Sequence, residues 1–464
     1  MAVKRILTWL KRLVLACLAL LVLLCVYVLL VNRHDQPPSK TVLRFESLLH
    51  DLPPVADKDN GYVYFVGISA PRNVEPHFAG MVRIAWAKQW MGYTELGADK
   101  FPGKVLDIDG GRSEAVKSLA AQCKEVDINC ARALDSGAAV ISQWLASDKF
   151  LVERYNTLLT YPEWRETLLH DDRLPVMPFV TVLEGQKVHL LAAWERAGQG
   201  DGAGVKAALD SDMRFWRRNL AATDTLIGKM IASSALRRNF AWGNLILRRL
   251  PSDKVASAIP ALWREPVSAQ ERSMLRSLAG EWRSNVSQLK KVTARDMNED
   301  VGSTYRNIVR AVTDSVTRST LQYQATSNQY AELMASTADA YAVSYEQIPA
   351  AIPAVRARTG KLQENVAGLP GYNLLGNVLF RVGSPDMTRY ALRMSDLEGI
   401  RRATLLMAEL HSRALGPADI EAQLAASHAG SPYDGKPFAW DAQAKAIVFI
   451  GLEEGKWGRT SVPY

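Results

Sequence analysis

Histidine and cysteine, the residues that most often announce chemistry, are scarce in this chain. The seven histidines, at 34, 50, 77, 170, 189, 411 and 428, never stand three or four residues apart. That spacing excludes the helix-borne histidine pair of a zinc protease. Four cysteines in 464 residues exclude a disulfide-stapled miniprotein. No Gly-x-x-x-x-Gly-Lys-Ser/Thr loop, no Gly-x-Ser-x-Gly elbow and no Gly-x-Gly-x-x-Gly after a strand is present, so the common signatures for nucleotide cradling and for serine hydrolysis are missing. With 30 Gly and 21 Pro, neither collagen nor disorder fits, and 48% hydrophobic residues suffice for a sizeable core. Charge of one sign is also missing where it would matter. The formal +8 is concentrated in the first 44 residues, where Lys4, Arg5, Lys11, Arg12, Arg33, Lys40 and Arg44 face only Asp35. The remainder is close to neutral, which excludes a groove that tracks phosphates and with it a nucleic-acid partner.

What is present begins with an uncharged apolar run from Leu13 to Val31. As a helix it reaches about 28 Å, close to the roughly 30 Å of a hydrocarbon core. A cleaved signal would have a shorter apolar region ending in small residues; here the run ends Tyr27-Val28-Leu29-Leu30-Val31-Asn32. The reading is an uncleaved anchor whose partner is the lipid bilayer. Four cations precede the span, which keeps the N-terminus cytoplasmic and exports the body; in a bacterium this is an inner-membrane protein with a periplasmic domain. No second run of 18 apolar residues follows. Cys17 and Cys25 fall inside the span as apolar fillers. Cys123 and Cys130, an even pair in an oxidising compartment, are expected to form a disulfide, two buried free thiols being the alternative.

The expected fold class is mainly α: an N-terminal transmembrane helix, then an irregular domain of antiparallel helical hairpins, then a small C-terminal β-hairpin. The divisions are a cytoplasmic basic tail 1–12, the span 13–31, a polar linker 32–44 and a first helical section 45–172 carrying the cysteine pair. A helical-hairpin section 173–293, a further helical section 294–425 and a hairpin tail 426–464 follow. Gly61 to Ser69 is apolar and aromatic and fits a strand or a buried helix start equally. Leu183, Val188, Leu191 and Trp194, then Val205, Leu209, Met213, Trp216 and Leu220 across a glycine-rich turn, make the clearest hairpin. Ser268-Ala-Gln-Glu271 has capping-box spacing. Ile308, Val312 and Val316 recur at fourfold spacing, Pro349 to Pro353 is read as a break, and a helix is expected over Ser395 to Leu415. There is no regular 34-residue recurrence, so a repeat solenoid is disfavoured.

Candidate chemistry is thin. Carboxylate clusters stand at Asp107-Ile-Asp109, His170-Asp171-Asp172 and Glu453-Glu454, and paired acids are what glycan cleavage requires; solvated loop acids are the plainer reading. Ser69 lacks an elbow around it, and Glu75 before Pro76-His77 reads as helix-start chemistry. Eleven of the twelve tryptophans lie beyond the anchor, mostly on helical stripes, so core packing is expected of them. The arginine pairs 217/218, 237/238, 248/249 and 401/402 point about 100° apart on a helix and read as solvated faces. No catalytic, cofactor or metal residue is assigned.

Asp59-Asn-Gly-Tyr-Val-Tyr-Phe-Val-Gly-Ile-Ser-Ala-Pro71, Met394-Ser-Asp-Leu-Glu-Gly-Ile-Arg-Arg402 and Pro432-Tyr-Asp-Gly-Lys-Pro-Phe-Ala-Trp440 together resemble a group of uncharacterised single-pass envelope proteins of Gram-negative bacteria. The last motif is commonly preceded by Asp and followed by Tyr in such proteins; Ser431 and Trp440 stand at those places. The resemblance implies location and fold style, marks Pro432, Asp434, Gly435, Lys436 and Pro437, and carries no activity. The function expected is binding: a scaffold, assembly factor or chaperone of an envelope process with a periplasmic or envelope protein partner. The alternative is a carboxylate-dependent envelope hydrolase acting on glycan.

Overall fold

In the computed structural model, residues 2–90, 101–168, 174–289, 317, 319–364, 369–384, 386–413, 415, 417–427 and 429–464 are described. Ile308, Val312 and Val316, the His170 to Asp172 cluster and His428 lie outside them. Helix α1, Ala2–Val31, is long and apolar enough over Ile6–Val31 to cross a membrane, and none of that window is buried against the body.

The stretch 32–44 is not a free linker. Its polar side chains satisfy backbone groups of the body. The Asp35 carboxylate accepts Gln324 N (2.7 Å) and Ala325 N (3.0 Å), and Asn328 donates to Pro37 O and accepts Ser39 N, both at 3.0 Å. Ser39 then caps α2, Lys40–His50, which buries Val42 and Phe45, the latter 5.7 Å from Trp282.

The ambiguous run after residue 60 is helical. Asn60 caps α3, Gly61–Gly67, and every residue of that helix is buried. It packs against α4, Pro76–Trp90, at backbone contact: a Cβ on Gly67 would lie 1.8 Å from Pro76 O, and one on Gly80 1.8 Å from Val63 O. Only glycine permits that approach. Three helices follow, α6, Ile128–Ser136, α7, Ala138–Ser147, and α8, Lys149–Thr160, divided at Gly137 and Asp148. Before them α5, Glu114–Gln122, ends at Cys123, whose sulfur lies 2.12 Å from that of Cys130, closing the turn between α5 and α6 as a disulfide.

The hairpin is formed by α9, Phe179–Gly198, and α10, Gly202–Ala222. Gly200 takes φ +73° in the turn, and Asp201 caps α10 through Gly204 N at 2.8 Å. Helix α11, Leu226–Arg249, starts at a Thr225 cap and stops before Pro251, whose ring cannot continue it. Short turns α12, Ser252–Ala258, α13, Ala261–Arg264, and α14, Ala269–Arg272, lead to α15, Leu275–Leu289; Ser268 and Glu271 make the capping box at α14.

Helix α16, Tyr323–Ala340, packs on α15 and α2. The prolines at 349 and 353 do not break the chain: they fall in the first six residues of α17, Ile348–Glu364. Pro349 is pre-set for the first turn, where a missing N–H costs little, whereas Pro353 lies inside the helix and forgoes one backbone hydrogen bond there. Helices α18, Leu374–Gly383, α19, Thr388–Ser412, and α20, Pro417–Ala426, follow. The expected terminal hairpin is β1, Ala439–Asp441, and β2, Ala446–Ile450, and a third strand, β3, Arg459–Pro463, extends it to an antiparallel sheet in the order β1-β2-β3, with Trp440 opposite Ile447 and Ile447 opposite Val462. The third strand covers the edge that a lone hairpin leaves open. Phe449 of β2 closes on α19, where a Cβ on Gly399 would come within 2.1 Å of its ring.

Trp144, Trp242 and Trp263 are among the largest fully buried side chains, and burial of each is worth roughly 2–3 kcal/mol. The arginine pairs correct the sequence reading, since most are staples between elements rather than solvated faces. Arg217 holds Glu271 at 2.5 and 2.8 Å and the carbonyls of Leu262, Glu265 and Pro266; Arg218 donates to Tyr161 O. Arg237 reaches Trp457 O, Arg238 Leu183 O, Arg248 Tyr464 O and Arg249 Asp135. Arg401 and Arg402 share the fully buried Glu398 carboxylate, three and four residues back, and Arg401 is itself buried.

Candidate functional site

Among the described residues, the carboxylates singled out by sequence are engaged in local structure. Asp107 accepts Asp109 N (3.1 Å) and Gly110 N (3.0 Å), and Asp109 pairs with Arg112 at 3.2 Å with its side chain 73% exposed. Arg112 continues to Asp148 (2.6 Å) and Glu184 (3.1 Å). Glu453 pairs with Arg393, whereas Glu454 is exposed beside Arg356. Ser69 is buried, with Arg83 donating to its hydroxyl at 2.9 Å, and Glu75 caps the first turn of α4 through His77 N and Phe78 N. Among the described residues no group of three or more His, Cys, Asp or Glu is placed to hold a metal ion.

Two of the three resemblance motifs, the middle and the last, meet in space. Asp396 in the middle motif accepts Tyr433 OH from the last motif at 2.6 Å, together with Leu452 N and Glu453 N at 2.8 and 3.0 Å. Burial raises the pKa of Asp396, and these donors hold it back. Pro432, Asp434, Gly435, Lys436 and Pro437 form the turn beside this anchor. Gly435 takes φ +69°, Ser431 N donates to Lys436 O, and Asp434 pairs with Lys436 at 2.9 Å on the surface. The arrangement docks the C-terminal sheet on α19.

A second polar knot ties the hairpin. Asp212 on α10 accepts Tyr155 OH, Gln186 Nε2 (3.1 Å) and Asn239 Nδ2 (2.8 Å), while Trp216 Nε1 donates to Tyr155 OH and Trp263 Nε1 to Asn239 Oδ1. Lys229, its pKa pushed down to about 7 by burial, donates to Leu220 O and Glu271 O. Each of these contacts joins two elements, and the carboxylate is fully buried.

The best-formed concavity lies elsewhere. A cavity of about 270 Å³ opens between α3, the segment 164–168, the segment 174–179, α10 and α15. Its wall is an aromatic box: Trp164 meets Tyr62 edge-on at 5.6 Å, Phe65 at 5.3 Å and Phe215 at 5.8 Å, and Phe65 meets Phe179 at 5.2 Å. Val176 and Ile227, 84% and 53% exposed, stand at it. Trp164 is itself buried, and its indole faces the Glu166 carboxyl, whose ionised form it favours as a hydrogen-bond donor.

Two carboxyls face this space. Glu166 accepts Thr223 Oγ1 at 2.5 Å, and burial, reinforced by the charge of Asp224, pushes its pKa up to about 7. Glu281 on α15 accepts Leu226 N at 3.2 Å and is also raised by burial. Asp224, raised by burial, is held against this by Arg276. Near neutrality Glu166 therefore changes between an acceptor-only carboxylate and a neutral acid able to donate. Neither glutamate was legible as a site residue. They are separated by more than a hundred positions, and each sits in an unremarkable local sequence, Trp-Arg-Glu and Gly-Glu-Trp.

No protein-family model, curated protein or solved structure matches the chain.

Proposed function

We propose that this is a single-pass inner-membrane protein, held by residues 13–31 with its N-terminus in the cytoplasm, whose helical periplasmic body works by binding. Its role is that of a scaffold, assembly factor or chaperone of an envelope process, and the aromatic cavity receives an apolar group of its partner. The observation that carries this reading is the aromatic box around Trp164 and the exposed apolar residues at its mouth. A dry cavity of about 150 Å³ admits benzene, so this one accepts a large aromatic or branched side chain or a short acyl end. Burying on the order of 100 Å² of apolar surface yields about 2–3 kcal/mol, less than the ~4 kcal/mol of a millimolar complex. The cavity therefore acts as an anchor point within a larger contact, as hot-spot pockets do.

The test is photocrosslinking in intact cells with benzoylphenylalanine at Val176 or Ile227. A defined adduct with an envelope protein, lost when S284W fills the cavity wall, is the expected result. A monomer with no adduct at either position contradicts the reading.

One observation favours a second reading, a carboxylate-dependent hydrolase acting on envelope glycan: Glu166 and Glu281 line the same cavity, and Glu166 titrates where a general acid is useful. E166Q and E281Q separate the two. A hydrolase loses release of glycan fragments in either variant, whereas a binding pocket keeps its adduct in E166Q, because the amide matches the neutral acid in size and shape.

A further inference from the structure

We infer that α18 is a second membrane contact, an interfacial helix that lays its outer face on the bilayer leaflet from which α1 emerges. The inference rests on reading residues 13–31 as the membrane span.

Helix α18 is amphipathic in an unusual sense, since its outward face is the apolar one. Gly376 and Phe380 are buried against α16, where Tyr330 meets Phe380 at 5.1 Å and donates to Leu379 O at 3.0 Å. Leu374, Val378 and Val382, at i, i+4 and i+8, occupy the opposite side and are 45%, 55% and 85% exposed; Leu369 in the preceding turn is 64% exposed. Among the described residues nothing covers this row. Four large apolar side chains in one strip form the kind of patch that marks an interface.

The position of the strip identifies the occupant. The turn before α18 is fastened to the last turn of α1: a Cβ on Gly371 would lie 3.4 Å from the Tyr27 ring and 3.5 Å from Val28, and Asn32 Nδ2 donates to Gly371 O at 2.8 Å. Asn32 also accepts Asn373 N at 2.8 Å, and its carbonyl accepts Gln322 Nε2 at 2.9 Å. Asn32 and Asn373 are buried, so this junction is a weld and not a swivel. Tyr27 stands one turn inside the end of the apolar run, at the depth where aromatic belts sit. The apolar strip thus begins beside the place where the anchor leaves the hydrocarbon. A lipid surface is the partner whose chemistry and position both match.

The test uses the full-length chain in vesicles of phosphatidylethanolamine and phosphatidylglycerol. Bimane is placed at V378C or V382C in a C17A/C25A background, with E114C on α5 as the aqueous control. Quenching by nitroxide lipids at 378 and 382 at least twofold above that at 114, with weaker quenching by iodide, is the expected result. Labels at 378 and 382 that respond to iodide as 114 does and ignore the lipid quencher overturn the inference, as does shielding from both quenchers. A label on native Cys25 in C17A distinguishes the failures. Lipid quenching at Cys25 with none at 378 removes only the role of α18, whereas no quenching at Cys25 removes the anchor reading too.

Discussion

The titration of Glu166 offers a quantitative check on the cavity. Burial, helped by the neighbouring Asp224 charge, lifts its pKa from the ordinary 4.5 to about 7 in the folded protein. The native state then binds the proton more tightly than the unfolded chain does. Stability from this group is fully present below about pH 4.5 and is lost as pH rises to about 7, above which the loss is complete. Between pH 5 and pH 8 the shift corresponds to roughly 2–3 kcal/mol, at about 1.4 kcal/mol per pH unit over the window where only the unfolded state ionises. E166Q keeps an acceptor for Thr223 and removes the titration. Melting of the full-length protein followed by tryptophan fluorescence at pH 5 and pH 8 should show E166Q gaining on the wild type by roughly 2–3 °C as pH rises, since about 1 kcal/mol moves the midpoint by about 1 °C in a body of this length. Parallel pH profiles for the two proteins would mean that Glu166 is as solvated in the folded protein as in the unfolded chain. The argument for a protonatable pocket would then fail.

Three further outcomes follow from packing and bonding. G80A places a Cβ 1.8 Å from Val63 O; a backbone atom cannot move aside as a side-chain tip can, so α3 and α4 must separate, with a loss above about 3 kcal/mol visible as a lowered melting midpoint. C130S removes a bond between cysteines seven residues apart and should cost about 2–3 kcal/mol, the same loss that a reductant produces in the wild type and not in the variant. Y433F deprives Asp396 of its 2.6 Å donor and should cost about 1–2 kcal/mol, read as faster proteolytic release of the C-terminal sheet while the α9–α10 hairpin stays protected.

Features legible in the sequence were those encoded locally. The apolar run of α1, the 3.6-residue stripes of α9 and α10, the Ser268 to Glu271 box and the cysteine pair each need only a short window of chain, and the structure contains all of them. The three-stranded sheet was half legible, because β3 is separated from β2 by Gly451 to Gly458 and has weak alternation. Arg401 and Arg402 misled for a physical reason: their side chains diverge, yet a carboxylate placed one turn back, Glu398, lies between them. Residues 32–39 looked like a linker because they are polar, and that polarity instead satisfies α16 and Asn373. The cavity was illegible because Tyr62, Trp164, Phe215 and Glu281 come from four distant stretches, and no periodicity within any one of them points at the others.

The account depends on α1 staying in the bilayer while the body folds on its far side in an oxidising space. Peptide mapping of the protein from isolated membranes, alkylated without prior reduction, tests this most directly. The account predicts a 123–130 cross-linked peptide, with the protein retained in the membrane pellet after carbonate washing. A soluble protein with alkylated thiols at both Cys123 and Cys130 contradicts it.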